Sequence, residues 1–278
     1  MHFPANQIEK TRAIVLRVIP YSQTSHIVNW LTTDSGTLAT LVKGASRPKS
    51  AYLGQYDLFY TCELLYYTRA RNHLYMIREC SPIHARPQLR LEWRSAACAS
   101  YCCDLARRTV PQGVPQLPLY ALLESVLELI AHRAATPSIL FWYELRFLEQ
   151  MGLWPRLDAC VSCGRAVPAP PPGPLSFDTA GGGVVCKACV QNRAITPIAM
   201  GVDILALLRT WQATEDPKAA LRVRCSDSQS RQIDQILGGY MTYHLDLEMA
   251  ARRIAMRMLT FTPQTLNRKR QMSPSSTV

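Results

Sequence analysis

No stretch of this 278-residue sequence is apolar for long enough to cross a bilayer; the most hydrophobic helical run, YALLESVLELIAH, is interrupted by Glu124 and Glu128. The opening, MHFPANQIEKTRAI, has no apolar run behind a basic region, so no secretory signal is read there. An intracellular, reducing setting in the cytoplasm is the expectation. Ten cysteines in such a setting read as thiols and metal ligands rather than disulfides.

Catalytic signatures are missing as well. There is no P-loop, GxGxxG, HExxH or nucleophile elbow. TAGGGVV is glycine-rich, yet no Lys-Ser/Thr pair follows it, and it reads as the flexible arm of a loop. His26, His73 and His84 have no carboxylate or cysteine at ligand spacing. An enzyme is not expected.

Acid is scarce: 20 Asp and Glu stand against 31 Lys and Arg, a net charge of +11. Residues 1–85 carry +4 and residues 86–157 carry +2, whereas 158–195 and 196–262 carry +1 each. The tail, 263–278, holds Arg268, Lys269 and Arg270 with no acid. An excess weighted to the two ends points to a polyanionic partner, nucleic acid ahead of an anionic membrane.

What is present begins with strands. TRAIVLRVI is rich in β-branched residues and stops at Pro20; SHIVNWLTTDSG and TLATLVKGA meet at Asp34-Ser35-Gly36. LFYTCELLYYT and HLYMIREC form a hairpin around RARN, and Pro82 ends the run. Five short strands over residues 1–82 predict a small closed barrel of the OB type rather than a sandwich.

Beyond residue 85 the period becomes helical. RPQLRLEWRSAACASYCCDLARRT places Leu89, Trp93, Ala97 and Tyr101 on one face. PLYALLESVLELIAHRA follows with Leu119, Leu122, Leu123, Val126, Leu127 and Ile130 at helical spacing. Two further helices are predicted to start at Thr136-Pro137 and Thr196-Pro197. The stretch 230–259 reads as one long helix or two abutting ones, weakened at Gly238-Gly239. The fold class is therefore α+β: an N-terminal OB barrel, then a helical bundle over 83–156 and 196–262. A loop insert fills 157–195 and a disordered basic tail fills 263–278.

The insert contains VPAPPPGP and FDTAGGGVVCKACV, a proline and glycine density that predicts no packed core of its own. Cys160 and Cys163 are separated by two residues, as are Cys186 and Cys189, with 22 residues between the pairs. Two such knuckles let four thiolates converge on one structural Zn²⁺. Gly164 after the first pair and Lys187 within the second suit turns that aim N–H groups at sulfur. Four thiolates leave no open position for water, the deaminase signature is absent, and no βαβ setting supports a redox pair. A zinc hydrolase would need an open site. Cys98 and Cys102 lie four apart among small residues and read as core thiols; Cys62, Cys80, Cys103 and Cys225 read as isolated.

An OB barrel binds strands across its second and third strands, between the loops joining strands 1–2 and 4–5. Here those loops are PYSQTS and RARN, the latter with Arg69 and Arg71. Lys43, Arg47 and Lys49 follow the third strand, and Arg12 and Arg17 lie in the first. Tyr21, Tyr52 and Tyr56 are candidate stacking platforms; Trp30 reads as core. Cations with interleaved aromatics suit sequence-tolerant single-strand binding.

These residues resemble a known family. The opening strand, the T-x-x-x-G turn ending at Gly36, the loop Lys43-Gly44-Ala45-Ser46-Arg47-Pro48-Lys49-Ser50 and the run FLEQMGLWPRLDACVSCG are, in this order, similar to RecO, the bacterial DNA repair and recombination mediator family. The resemblance spans about residues 10 to 260. It implies binding of single- and double-stranded DNA, strand annealing, and help in loading RecA onto strands coated by single-strand binding protein. Implied partners are RecR, often with RecF, and the C-terminal tail of single-strand binding protein, at the nucleoid and not at a membrane. The family's acidic Y-x-E-x-D pattern is replaced here by Tyr21-Ser22-Gln23-Thr24-Ser25. The alternative is a zinc-stabilised OB-fold scaffold that chiefly binds proteins.

Overall fold

The computed structural model describes residues 7–171, 173, 175–191 and 197–260. Its first part is a barrel of β1 (Ile8–Pro20), β2 (His26–Thr32), β3 (Gly36–Val42), β4 (Thr61–Arg71) and β5 (Leu74–His84). It closes in the order β1-β2-β3-β5-β4, with β3 and β5 parallel. Alternate residues point inward, as the period-two pattern requires: Ala13, Val15, Val28, Trp30, Leu38, Val42, Leu64 and Ile77 fill the interior. The β2–β3 turn is fixed by Thr32, whose hydroxyl donates to the Gly36 carbonyl at 2.9 Å and accepts from the Ser35 amide at 3.0 Å.

The barrel differs from the sequence expectation at its last hairpin. Arg69 and Arg71 belong to β4, and the turn is Asn72-His73, both at positive φ, as a two-residue hairpin turn demands. Pro82 does not end β5, which continues to His84. Pro82 lies opposite Cys62 beside a register shift, a place where a missing ladder N–H is tolerated.

Four helices follow: α1 (Gln88–Leu91), α2 (Trp93–Thr109), α3 (Leu117–His132) and α4 (Pro137–Gln150). The single helix expected from 86 to 109 is split, because the Glu92 carboxylate accepts from the amides of Arg94 and Ser95 and starts a new one. Trp93 consequently opens α2 at 46% exposure, away from buried Leu89 and Tyr101. Thr136 precedes α4 as expected but makes no side-chain cap bond.

The insert is structured. β6 (Leu175–Asp178), β7 (Gly183–Cys186), α5 (Lys187–Gln191) and β8 (Ile198–Met200) follow, the strands ordered β7-β6-β8. Leu175, Phe177, Val184 and Met200 join the bundle core, so the expectation of an insert without a packed core is corrected. Short strands amid glycine and proline gain their burial from distant helices, which local sequence does not display.

The bundle closes with α6 (Val202–Ala213), α7 (Pro217–Ala220), α8 (Asp227–Leu245) and α9 (Ala250–Thr260). The helix expected to start at Thr196-Pro197 does not: Thr196 lies outside the described residues, Pro197 precedes β8, and Gly201 is the N-cap of α6. The basic tail of 263–278 also lies outside the described residues. Barrel and bundle share one continuous core, since Ile14, Leu16, Leu31 and Phe59 pack with the helices. Arg86 seals the seam, donating to the Phe59 carbonyl at 2.8 Å and pairing with Glu128 at 3.0 Å.

Of the two readings of 230–259, two abutting helices is the one seen, but they part after Leu245 rather than at Gly238-Gly239. α8 runs through both and ends at Asp246, in the left-handed region. Gly238 is there for space: a Cβ would stand 2.6 Å from Arg252 Nη1. At Gly239 the nearest atoms are 3.9 and 4.0 Å away. Gly239→Ala is therefore expected to stabilise by up to about 1 kcal/mol, and Gly238→Ala to destabilise by about 1–2 kcal/mol through the displaced guanidinium. Urea unfolding of the two variants checks the opposite signs.

Candidate metal centre and nucleic-acid interface

The four sulfurs of Cys160, Cys163, Cys186 and Cys189 lie within 4.8 Å of one another. Cys163 and Cys186 are 3.9 Å apart; sulfurs held tetrahedrally around one ion would stand about 3.8 Å apart. The residues therefore fit a metal ion of the kind the sequence predicts, and the cluster could hold one.

Local folding explains the convergence. The first knuckle is pinned by Cys160 N to the Arg165 carbonyl and Gly164 N to the Cys160 carbonyl, both 2.9 Å. Cys186 ends β7, and Cys189 follows one turn later in α5. Val161 N reaches the Val184 carbonyl, and Arg156 exchanges bonds with Gly182 and Val184, so the knuckles are stitched side by side. Gly183 permits this approach, since a Cβ there would lie 2.2 Å from the Arg156 carbonyl oxygen. The TAGGGVV run is thus a packed hairpin, not the flexible arm expected.

Burial pushes the Cys160 thiol up, but the backbone amides of Cys186, Cys163 and Ser162 outweigh it and hold it down at about 6. That environment favours the thiolate a metal needs. Hydrogen bonds with Cys186 and Cys163 push Cys189 up to about 12. Arg209 of α6 anchors the whole insert, donating to the carbonyls of Leu157 at 2.8 Å and Val167 at 2.6 Å. No sequence signal marked Arg209, because its partners lie more than 40 residues away.

Five of the six remaining cysteines are buried core thiols, and Cys225 is half-buried with its sulfur 3.7 Å from Ser138 Oγ. Cys98, Cys102 and Cys103 are fully buried in α2, and burial raises Cys98 and Cys103 to about 12. Cys62 and Cys80 are not isolated: β4 and β5 bring both sulfurs 3.6 Å from the Gln55 carbonyl oxygen. Their mutual hydrogen bond, then burial, raises Cys80.

On the barrel, register assembles a surface. Arg17 lies opposite Asn29, Asn29 opposite Ala39, Ala39 beside Leu74, and Leu74 opposite Arg71, so two arginines flank one row. The adjacent row is Ile19, Ile27, Leu41 and Met76, all half-buried. This apolar floor went unread in the sequence, although outward positions at period two were its signal. At one end, the 43–50 loop is tied to the β1–β2 loop: Ser46 N donates to the Thr24 carbonyl at 3.1 Å and Gly44 N to Ser25 Oγ at 3.4 Å. His26 sits beneath, between Ser46 Oγ at 3.1 Å and the Tyr56 hydroxyl at 2.8 Å.

Arg17, Lys43, Arg47, Lys49, Arg69 and Arg71 are all exposed, and none enters an ion pair among the described residues. Arg12 is set apart from them, held by Glu124 of α3 at 2.8 Å at the seam with the bundle. Of the aromatic candidates, Tyr21 is 61% exposed. Tyr52 and Tyr56 pack against the barrel interior, and Trp30 is buried with its indole N–H on Thr40 Oγ1 at 2.9 Å.

A closed OB barrel with a cationic rim, continuous with a helical bundle that carries a four-thiol knuckle, places the chain in the OB-fold class. Comparison with known sequences then sharpens this class. The family models described as Recombination protein O N terminal and Recombination protein O C terminal match residues 6–86 and 90–253. The DNA repair protein RecO of Anaeromyxobacter sp. (strain Fw109-5) is 30% identical over 244 residues, which is 88% of this chain and 94% of the relative. That of Syntrophus aciditrophicus (strain SB) is 27% identical over 248 residues, again 88% and 94%. That of Exiguobacterium sp. (strain ATCC BAA-1283 / AT1b) is 24% identical over 252 residues, 91% and 97%. The chain belongs to the RecO family of DNA repair proteins.

Proposed function

We propose that this protein is a recombination mediator that binds single- and double-stranded DNA, anneals complementary strands, and helps load RecA onto strands coated by single-strand binding protein. It acts without a catalytic step. Its partners are RecR, often with RecF, and the C-terminal tail of single-strand binding protein, in the cytoplasm at the nucleoid. The observation that carries this reading is the set of six exposed cations, without an ion pair among the described residues, bordering the outer face of the barrel. Phosphates held along that rim release counterions, and two strands so neutralised repel one another less. With a single exposed tyrosine nearby, base stacking contributes little, which suits binding indifferent to sequence and strandedness. Zinc is the ion assigned to the four thiolates, where a closed S₄ shell holds the knuckles together.

Reversing Lys43, Arg47, Lys49 and Arg71 to Glu together is expected to weaken oligonucleotide binding at least about 100-fold near 0.1 M salt and to flatten the salt dependence by roughly three to four in log–log slope. Unchanged affinity and slope would sink the assignment. The half-buried row Ile19, Ile27, Leu41 and Met76 favours a second reading, a scaffold that docks proteins on the same face. Partner binding insensitive to salt, with no oligonucleotide affinity at low salt, would establish that scaffold instead.

A further inference from the structure

Between the first turn of α8 and the last turns of α9 lies a cavity of about 410 Å³ that the barrel and the knuckle do not use. Its walls carry three guanidinium groups, from Arg231, Arg253 and Arg257. Arg231 and Arg257 are exposed and enter no ion pair among the described residues, and Arg253 makes a surface pair with Glu248 at 2.8 Å. Two carboxylates share the wall. Asp234 is already bound to Arg252, which leaves Asp227 at the start of α8 as the single uncompensated acid. The first turn of a 19-residue helix adds partial positive charge at the same place.

Ser230 packs beneath the guanidinium groups of this cleft. It lies in this wall, is 3% exposed, and its hydroxyl has no hydrogen-bond partner. Its amide takes the Ser226 carbonyl at 2.8 Å, but the hydroxyl does not use that acceptor in the usual back-bonded manner. The three guanidinium groups that line the cleft are the charged donors an anion would meet there.

We propose that this cleft holds a nucleic-acid phosphate, a second backbone contact outside the barrel. The inference rests on the DNA-binding reading and deepens it. With one strand on the barrel rim and another on the α8–α9 cleft, a single molecule can hold both strands of an annealing pair.

The test uses the full chain and three variants: Arg231→Glu with Arg257→Glu, the milder Arg231→Ala with Arg257→Ala, and Ser230→Ala. Single-stranded oligonucleotide binding is measured across a salt series, together with annealing rate and, separately, the shift in melting temperature with inorganic phosphate. Loss of two cations is expected to reduce the magnitude of the salt slope by about one to two. Annealing should fall at least tenfold for the reversals and less for the alanines, and Ser230→Ala, at an enclosed hydroxyl, should leave it unchanged. If slope and annealing are unchanged in the folded arginine variants while the barrel reversals abolish binding, the cleft is overturned and the barrel reading stands. If the parent chain binds no oligonucleotide, both readings fail. A phosphate-induced melting shift that the arginine variants lose, with an unchanged oligonucleotide slope, makes the site one for a free anion and overturns the nucleic-acid assignment.

Discussion

A Cys160→Ser variant is expected to lose its metal and to melt well below the parent chain, and chelation of the parent should produce the same shift. Cys160 is the fully buried one of the four cysteines that could hold a metal, and three backbone amides stabilise its thiolate. Serine offers no comparable anion, so the fourth metal bond and the purpose of those amides disappear together. Isolated knuckle peptides owe about 10–16 kcal/mol to zinc. Here Leu175, Phe177, Val184 and Met200 also tie the insert to the bundle core by apolar packing. The expected loss is therefore smaller, several kcal/mol, or on the order of 10 °C in melting temperature. Cys189→Ser should cost less, since Cys189 sits on the five-residue α5, which buries none of its residues, whereas Cys160 is packed inside. Metal analysis, melting curves and amide exchange in β6 and β7 check the ranking. Oligonucleotide binding measured well below the transition should persist in Cys160→Ser, because the barrel cations touch none of these sulfurs. Equal melting and equal metal content in variant and parent would remove the clamp from the account.

The residues legible in the sequence were those whose chemistry is written at short range. Short runs rich in β-branched and aromatic residues, TRAIVLRVI and LFYTCELLYYT, mark barrel strands because such side chains favour the extended backbone. The cysteine pairs mark a metal site because a knuckle is built within four residues. What was hidden depends on pairing across distance. Cys62 and Cys80 meet through the β4–β5 register, and the floor of Ile19, Ile27, Leu41 and Met76 exists through three strand pairings at once. Arg12 and Arg17 are equivalent as letters in one strand; α3 takes one with Glu124 and leaves the other on the open face. Gly238 reads as a weak point because glycine costs a helix about 1 kcal/mol, and its reason lies on α9.

That reason carries the other large effect. Arg252→Met is expected to destabilise the protein by about 3–5 kcal/mol, the penalty for leaving one partner of a buried ion pair alone. Glu144 is 0% exposed and receives Arg252 Nε at 2.7 Å, Arg252 Nη2 at 3.1 Å and the Tyr101 hydroxyl at 2.8 Å. Burial alone would lower the Arg252 guanidinium; the Glu144 carboxylate overrides it and holds it above its ordinary value. Asp234 takes the remaining face of the guanidinium, so Glu144→Gln leaves Arg252 with one acid and should cost less than Arg252→Met. The pH dependence separates this from simple cavity loss. In Arg252→Met the buried carboxyl is comfortable only when protonated, so the folded state binds a proton the unfolded chain releases. Stability of that variant should fall as pH rises from 5 to 8, more steeply than in the parent. Replacing both partners, Glu144→Leu with Arg252→Met, should recover most of the loss and abolish the added pH slope, because two apolar side chains strand no charge. Urea unfolding at pH 5 and pH 8 decides it. A double variant as unstable as Arg252→Met would show that the pair itself, rather than the charge left behind, holds α9 to α2 and α4.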